Sequence, residues 1–589
     1  QQAIGHDTSA QRFVLTPKSF GQESLTTGIY SFGNNNYRIS SLGNGVYTVY
    51  SLTQNGFCAT NGNGSMYFAA SSDAAEAKWL VTKTSDGYVF QSAAHQTYMT
   101  SDAGLSSNAE NISISDLNAS VTDYSVKYDL SALNALDSLN GIQVISRLHT
   151  LGLSRSDLMN PEANMTSLNT NIQSALSGLP TQTVQYTGTD VDDLNQFLQN
   201  NTGKIVQLTQ DIQVYKNTNG SFGIIMVPSD TILDGNGHRL VMKAGYTEAP
   251  DVGVVLYVYK DGVIPSTNCG VKNLSTDIPY VNSINVFSAD NILIENNTLN
   301  NATKSGIMIS DEYGSTVNGI IRGNTINNVG DDAIAVYGNH SNLLIDSNRI
   351  SGAKGFAGIA ISCLQNGQQI RVDNETTGPH DIIVTGNVVS GCSGEALYCI
   401  GSYKTYITYN TLRDSILEGV CLDSGCIGNY FAHNEVVNNG IAGGLPGVSI
   451  DNGIYNIVDS NNVYNNSCSG IKLVRTGLGN IIVNNICTDN AYNQMGAKSS
   501  GIDIEPLAVE TENLGYIDGL GSNWNVVLNN TVTGSHDFGV FIADDDTANN
   551  GGSSCENVIM YNKFSSAYTF GAADFSSMSS TVKNNITLN

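Results

Sequence analysis

Two aspartates close short apolar runs that begin on glycine, Gly419-Val420-Cys421-Leu422-Asp423 and Gly447-Val448-Ser449-Ile450-Asp451. Side chains of an extended strand alternate between its faces, so with each glycine at position zero, positions one and three share one face, and two and four the other. Both aspartates then sit at position four. Stacked as neighbouring strands, the two runs would hold their carboxyls about 4.8 Å apart. Carboxyls that close push one pKa up, which supplies an acid and a base at one pH, and about 5–5.5 Å is the spacing of a retaining glycosidase. A third acid, Glu505, ends Gly501-Ile502-Asp503-Ile504-Glu505 two repeats further on. It would lie about 10 Å from Asp451, near the upper end of the inverting range. Retention and inversion both stay open.

The catalytic candidates are therefore Asp423, Asp451 and Glu505. Around them the same register places Tyr337 and Tyr398, which could stack on sugar rings, and Lys472, Arg475 and Asp503, which could hold hydroxyls or a carboxylate. Positions two and four are expected to face solvent. The plainer reading is that these are ordinary solvated acids of a chain that carries 52 Asp and Glu.

Such a register needs a repeating scaffold, and the sequence supplies one. The glycine-led run recurs at Gly306-Ile307-Met308-Ile309, Ala333-Ile334-Ala335-Val336, Gly358-Ile359-Ala360-Ile361, Gly470-Ile471-Lys472-Leu473 and Gly539-Val540-Phe541-Ile542. Between these runs lies a second element ending in Asn, a spacer and an apolar residue, as in Ile321-Arg322-Gly323-Asn324-Thr325-Ile326; it recurs at Asn348, Asn387, Asn410, Asn434, Asn461, Asn484, Asn530 and Asn562. One Asn per coil suits a turn that stacks on itself, because Asn tolerates left-handed backbone and can bond to the next coil. Each coil buries its apolar side chains only against its neighbours, as a solenoid requires. The fold class predicted is all-β, a right-handed parallel β-helix over 183–589, preceded by a β-rich module over 1–120 and a helical linker over 121–182. In the linker, leucines and isoleucines recur every third residue from Leu130 to Leu148, Pro161 opens a second helix reaching Leu179, and Val191–Leu198 is expected to cap the open end of the solenoid.

Composition narrows the partner. A net charge of −26 and a pI near 4.4 leave no basic stripe for nucleic acid. No apolar stretch is long enough for a membrane helix, and a chain starting at Gln1 reads as an exported, extracellular or cell-surface protein. The ten cysteines lack metal-ligand spacing and read as small apolar filler, with a Cys421–Cys426 disulfide left open. No cofactor is called for; Asp544-Asp545-Asp546 could bind calcium, though a solvated loop is the plainer reading.

Several resemblances rest on these residues. The Gly419–Asp423 and Gly447–Asp451 strings resemble β-helix glycoside hydrolases of the β-xylosidase type, which implies Asp423 as nucleophile and Asp451 as acid/base. The chain departs from that pattern in having Asp451 for the family's Glu, and Ser424 for an aromatic residue. The overall plan is similar to β-helix lacto-N-biosidases. Two segments, Tyr37–Thr60 and Trp79–Thr100, resemble the repeat of ricin-type β-trefoil lectins, with Gln11-Arg12-Phe13-Val14 as the remnant of a third. Gly330-Asp331-Asp332-Ala333-Ile334 resembles the strand start of polygalacturonase-like β-helices, but without their companion His and Arg motifs a turn is expected there. These readings point to a glycoside hydrolase acting on a neutral or amino-sugar glycan. The alternatives are a polysaccharide lyase or epimerase that sets Lys472 or Arg475 against a uronate, and a non-catalytic adhesin or tailspike.

Overall fold

A computed structural model describes the backbone of Gly5–Asp7 and Arg12–Val14, most of residues 28–116 and, from 130, the chain to 588, leaving aside 140–147, 217–222, 366–367, 370–377, 492–499, 506–520, 545–553 and scattered shorter stretches. The chain divides into two compact units, Gln1–Ser120 and Val121–Asn589.

The first unit is antiparallel. The two lectin-like segments form three-stranded meanders, Asn35–Ser41, Val46–Ser51, Gly56–Thr60 and Lys78–Lys83, Tyr88–Ser92, Tyr98–Met99, joined where Val46–Thr48 pairs with Lys78–Leu80. Trp79 is fully buried among Tyr47, Val49 and Phe90, and its indole N–H donates to the Cys58 carbonyl at 2.8 Å. The expected third remnant does not join this sheet. Arg12–Val14 pairs instead with Gly5–Asp7 in a separate hairpin.

In the second unit, among the described residues, three parallel sheets of 15, 14 and 13 strands run along a solenoid, each coil between its two ends contributing one strand to each sheet. The inward positions one and three of the glycine-led runs, such as Ile307, Ile309, Ile334, Val336, Val420 and Leu422, are fully buried in one continuous core. At Gly419, glycine in position zero is a packing requirement: a Cβ there would lie 2.4 Å from Val436 Cγ1 and 2.8 Å from the Gly447 carbonyl.

The Asn of each coil forms a buried ladder. From Asn297 through Asn324, Asn348, Asn387, Asn410, Asn434, Asn461, Asn485, Asn530 and Asn562 to Asn585, each backbone N–H and side-chain amide donates to the next residue's Oδ1 at 2.8–3.0 Å. The rung is Asn485, where the sequence pattern pointed to Asn484. The cause is a division of labour: the residue before each rung carries the left-handed backbone, among them Asn296, Ser347, Tyr409, His433 and Asn484, while the rung Asn supplies the amide. Asn484 stacks in a separate ladder, between Asp459 and Asn529.

The linker helices Ser131–Asp137, Arg155–Leu158 and Pro161–Ala175 bury Leu133, Leu136, Leu158, Leu168 and Ile172 against the outward side chains Ile320, Leu344, Ile383, Tyr406 and Tyr430 of the first sheet. The leucine repeat does not make one long helix. Its first segment ends at Asp137, where the Ser138 N–H donates to the Ala135 carbonyl at 3.2 Å and the Leu139 N–H to the Leu136 carbonyl at 3.0 Å, and 140–147 lie outside the described residues. Pro161 occupies the first turn of its helix, where its missing N–H costs nothing. The helix Val191–Asn200, N-capped by Asp190, buries Val191, Leu194 and Leu198 in the solenoid core and closes its first coil. All ten cysteines are free and buried; Cys426 belongs to the core, Cys421 to the outward face of the third sheet, so the two point apart. Among the described residues no helix is long and apolar enough to cross a membrane.

Candidate active site

The third sheet carries the glycine-led runs, and its register sets the columns. Position two runs Met308, Ala335, Ala360, Tyr398, Cys421, Ser449, Lys472, Asp503 and Phe541. Position four runs Ser310, Tyr337, Ser362, Ile400, Asp423, and, beyond Asp451, Val474 and Glu505. Cys421 pairs with Ser449 and Leu422 with Ile450, and the Ser424 N–H donates to the Asp451 carbonyl at 2.9 Å, so Asp423 and Asp451 are neighbours on adjacent coils.

Their surroundings differ. Asp423 Oδ2 accepts the Tyr398 hydroxyl and its Oδ1 the Ser424 hydroxyl, each at 2.7 Å. Asp451 Oδ2 accepts Arg475 Nη1 at 2.8 Å, while Oδ1 is buried without a partner. The same Arg475 nitrogen lies 4.0 Å from Asp423 Oδ1. Arg475 directly follows its strand in a left-handed turn, φ 56°, as Ser424 and Asn452 follow theirs at 36° and 55°, and this turn returns the guanidinium over the pair. Burial, reinforced by the charge of Asp423, raises the Asp451 pKa to about 7 against the opposing pull of Arg475.

The expectation that this face is solvent-exposed does not hold. Asp423 is 8% exposed, Lys472 7% and Asp503 0%. The small side chains Ala335 and Ala360 at position two leave room for larger neighbours to lie along the sheet, and Ala357, Ala360, Cys363, Tyr398, Ile400 and Cys421 form a packed cluster on the outward face. Tyr398 packs edge-on against Phe356, ring centroids 4.9 Å apart, and burial followed by the charge of Asp423 pushes its phenol pKa far up. It therefore orients Asp423 and is no open stacking platform. Tyr337, three coils before Asp423's, bonds its hydroxyl to Asp332. Lys472 Nζ lies 3.1 Å from Asp503 Oδ2 and 3.4 Å from Glu505 Oε2, an internal cation between two acids. Burial depresses its pKa, and those two charges more than offset this, for a net upward shift. Lys472 and Asp503 thus lie against each other, and Glu505 is joined to them rather than to the Asp423–Asp451 pair.

Three further carboxyls surround this face, each one residue before position zero: Asp332, Glu395 and Glu418. Asp332, expected in a plain turn, is fully buried, accepts the Ala357 N–H at 2.8 Å as well as the Tyr337 hydroxyl, and has a pKa raised by burial to about 7. Glu395 is raised to about 7 by burial and by the charge of Asp423, and Glu418 to about 8 by burial and by the charges of Glu395, Asp451 and Asp423. The signal that marks them is an acid immediately preceding the small residue, Asp332-Ala333, Glu395-Ala396 and Glu418-Gly419. Strand alternation does not reach that turn position, so the columns of the strand register leave these acids out.

Among the described residues, no cluster of three or more His, Cys, Asp or Glu is arranged to hold a metal ion. Asp544 accepts the Ser554 N–H at 2.9 Å, and Asp545 and Asp546 lie outside the described residues.

The family model for a right handed beta helix region matches residues 265–377. The fold is a right-handed parallel β-helix. Comparison with curated protein sequences gives no match. Among solved structures, the β-helix is similar to the A-module of the Azotobacter vinelandii mannuronan C-5 epimerase AlgE4, at 12% identity over 68% of this chain and 98% of that one, with a TM-score of 0.34. It is also similar to PfbA, a surface adhesin of Streptococcus pneumoniae, at 12% identity over 64% and 90% with a TM-score of 0.39. The tailspike protein of E. coli bacteriophage HK620, solved in complex with a hexasaccharide, matches at 15% identity over 67% and 73% with a TM-score of 0.40. These are likenesses of the coil, and no residue role is carried over from them.

Proposed function

We propose that this chain is an extracellular glycoside hydrolase whose reaction takes place at Asp423 and Asp451. The observation that carries this is the asymmetry of the pair: neighbouring carboxyls on adjacent coils, Asp423 fixed by two hydroxyl donors, and Asp451 bonded to Arg475 at 2.8 Å with its Oδ1 buried and unpartnered and its pKa raised by burial and by the charge of Asp423. Environments that separate two carboxyls in this way assign an acid and a base or nucleophile at one pH. Asp451 is the proton donor to the glycosidic oxygen, and Asp423 attacks or stabilises the anomeric carbon; spacing by one coil, about 4.8 Å, favours retention. Tyr398, Ser424 and Arg475 position these two groups, and Lys472, Asp503 and Glu505 brace the neighbouring coils.

The substrate is a glycan without uronate carboxylates at the cleaved bond. Arg475 is engaged with Asp451, and Lys472 with Asp503 and Glu505, so the cations a lyase or epimerase would set against a uronate are already committed to acids. The N-terminal unit, with its lectin-like meanders, binds glycan in this reading. The test is incubation of the protein with neutral, amino-sugar and uronate oligosaccharides, monitoring reducing ends and unsaturated uronate absorbance. New reducing ends from an uncharged glycan support the proposal. Unsaturated products, or a change of uronate configuration without cleavage, would favour the lyase or epimerase, and binding without turnover the adhesin.

A further inference from the structure

The acids at the turn before position zero face the position-four column across position two. The coil of Asp332 shows this directly, because the Tyr337 hydroxyl reaches Asp332 over Ala335. Two coils on, Glu395 sits in the same place, but the residue opposite it at position four is Ile400, which has nothing to donate. The nearest hydroxyl on its strand, that of Tyr398, is turned to Asp423. Glu395 is thus left 6% exposed with Oε2 buried and unpartnered, beside Glu418 and Asp423. A buried carboxyl oxygen without a partner is costly, and such groups call for an explanation in a ligand, a water or strain.

We propose that Glu395 is a substrate-binding residue that accepts a hydroxyl or amide N–H from an uncharged sugar ring held next to the Asp423–Asp451 pair. The inference rests on the hydrolase reading and assigns the ring chemistry of its subsite. Glu395 is surrounded by Glu418, Asp423 and Asp332, with Tyr398, Cys421 and Phe356 as its other neighbours on this face, and Arg475 is drawn to Asp451. A ring bearing a carboxylate would oppose the ionisation of this group, whose Glu395 and Glu418 charge only as the pH rises through about 7 and 8. A ring bearing hydroxyls or an acetamido group supplies the donor that Ile400 does not.

The test is steady-state kinetics and thermal melting of Glu395→Leu and Glu395→Gln, with Asp332→Asn, whose carboxyl is already satisfied, as the control on the same column. Glu395→Leu should raise KM roughly ten- to a hundredfold on the uncharged glycan. It should also raise the melting temperature, because it removes an unsatisfied buried acid; Glu395→Gln, which keeps an acceptor, should lie within about threefold of the wild-type KM. Asp332→Asn should leave KM unchanged. An unchanged KM in Glu395→Leu, or a lower melting temperature with KM and kcat falling together, assigns Glu395 a structural role and overturns the inference while the hydrolase reading stands. A wild type that neither cleaves nor binds any uncharged glycan removes both.

Discussion

Lys472 separates an internal brace from a substrate-binding cation. The residue is 7% exposed and sits between Asp503, which is fully buried, and Glu505. Asp503 Oδ2 has one other donor, the Ser469 hydroxyl at 3.3 Å, and Oδ1 has none. Replacing Lys472 with methionine, similar in length but uncharged, strands a buried carboxylate, and removing one member of a buried ion pair costs roughly 3–5 kcal/mol. Replacing both members with apolar residues of similar volume is often neutral or stabilising. Lys472→Met should therefore lose about 3–5 kcal/mol in urea unfolding at pH 7, and Lys472→Met/Asp503→Leu should recover to within about 1 kcal/mol of wild type. In a solenoid the transition to follow is the one reported by these coils, since long repeats need not unfold in a single step. A single variant within about 0.5 kcal/mol of wild type, with no recovery in the double, would refute the brace. Preserved stability with lost glycan affinity would return Lys472 to the substrate.

The Asn ladder makes a prediction far from the chemistry. Asn434 accepts from the backbone and side chain of Asn410 and donates to Ile407 and Asn461; Asn434→Ala leaves several buried polar groups unpaired and should cost at least about 3 kcal/mol in urea unfolding. The raised acids make stability fall with pH: a carboxyl whose folded pKa lies above its unfolded value binds its proton more tightly when folded, so stability is greatest below about pH 4 for that group and is lost up to its folded pKa. For Asp332, raised from 3.8 to about 7, Asp332→Asn should gain on wild type by up to about 4 kcal/mol between pH 4 and 7, read from unfolding at the two pH values. Asp451 as proton donor places a limb in the rate profile, with kcat/KM falling as pH rises through about 7.

The repeat was legible because a solenoid writes its period into the chain: the glycine-led runs gave the third sheet's register, and with it the adjacency of Asp423 and Asp451. The rung at Asn484 or Asn485 was not, since either Asn of that pair suits a turn and only the neighbouring backbone decides which one is left-handed. Alternation gives the direction of a side chain but says nothing of what lies above it, so the burial of Tyr398, Asp423 and Lys472 was out of reach. The partner of Lys472 was within reach, since Asp503 follows it in the same column and opposite charges on adjacent coils pair readily. Glu395 and Glu418 sit at a turn, where a period of two no longer applies.

The most direct test of the account is turnover of an uncharged glycan by wild type, Asp423→Asn and Asp451→Asn, with circular dichroism confirming that each variant is folded. The wild type should cleave, and each variant should lose at least about a hundredfold in kcat. Cleavage at the wild-type rate by either folded variant would contradict the account.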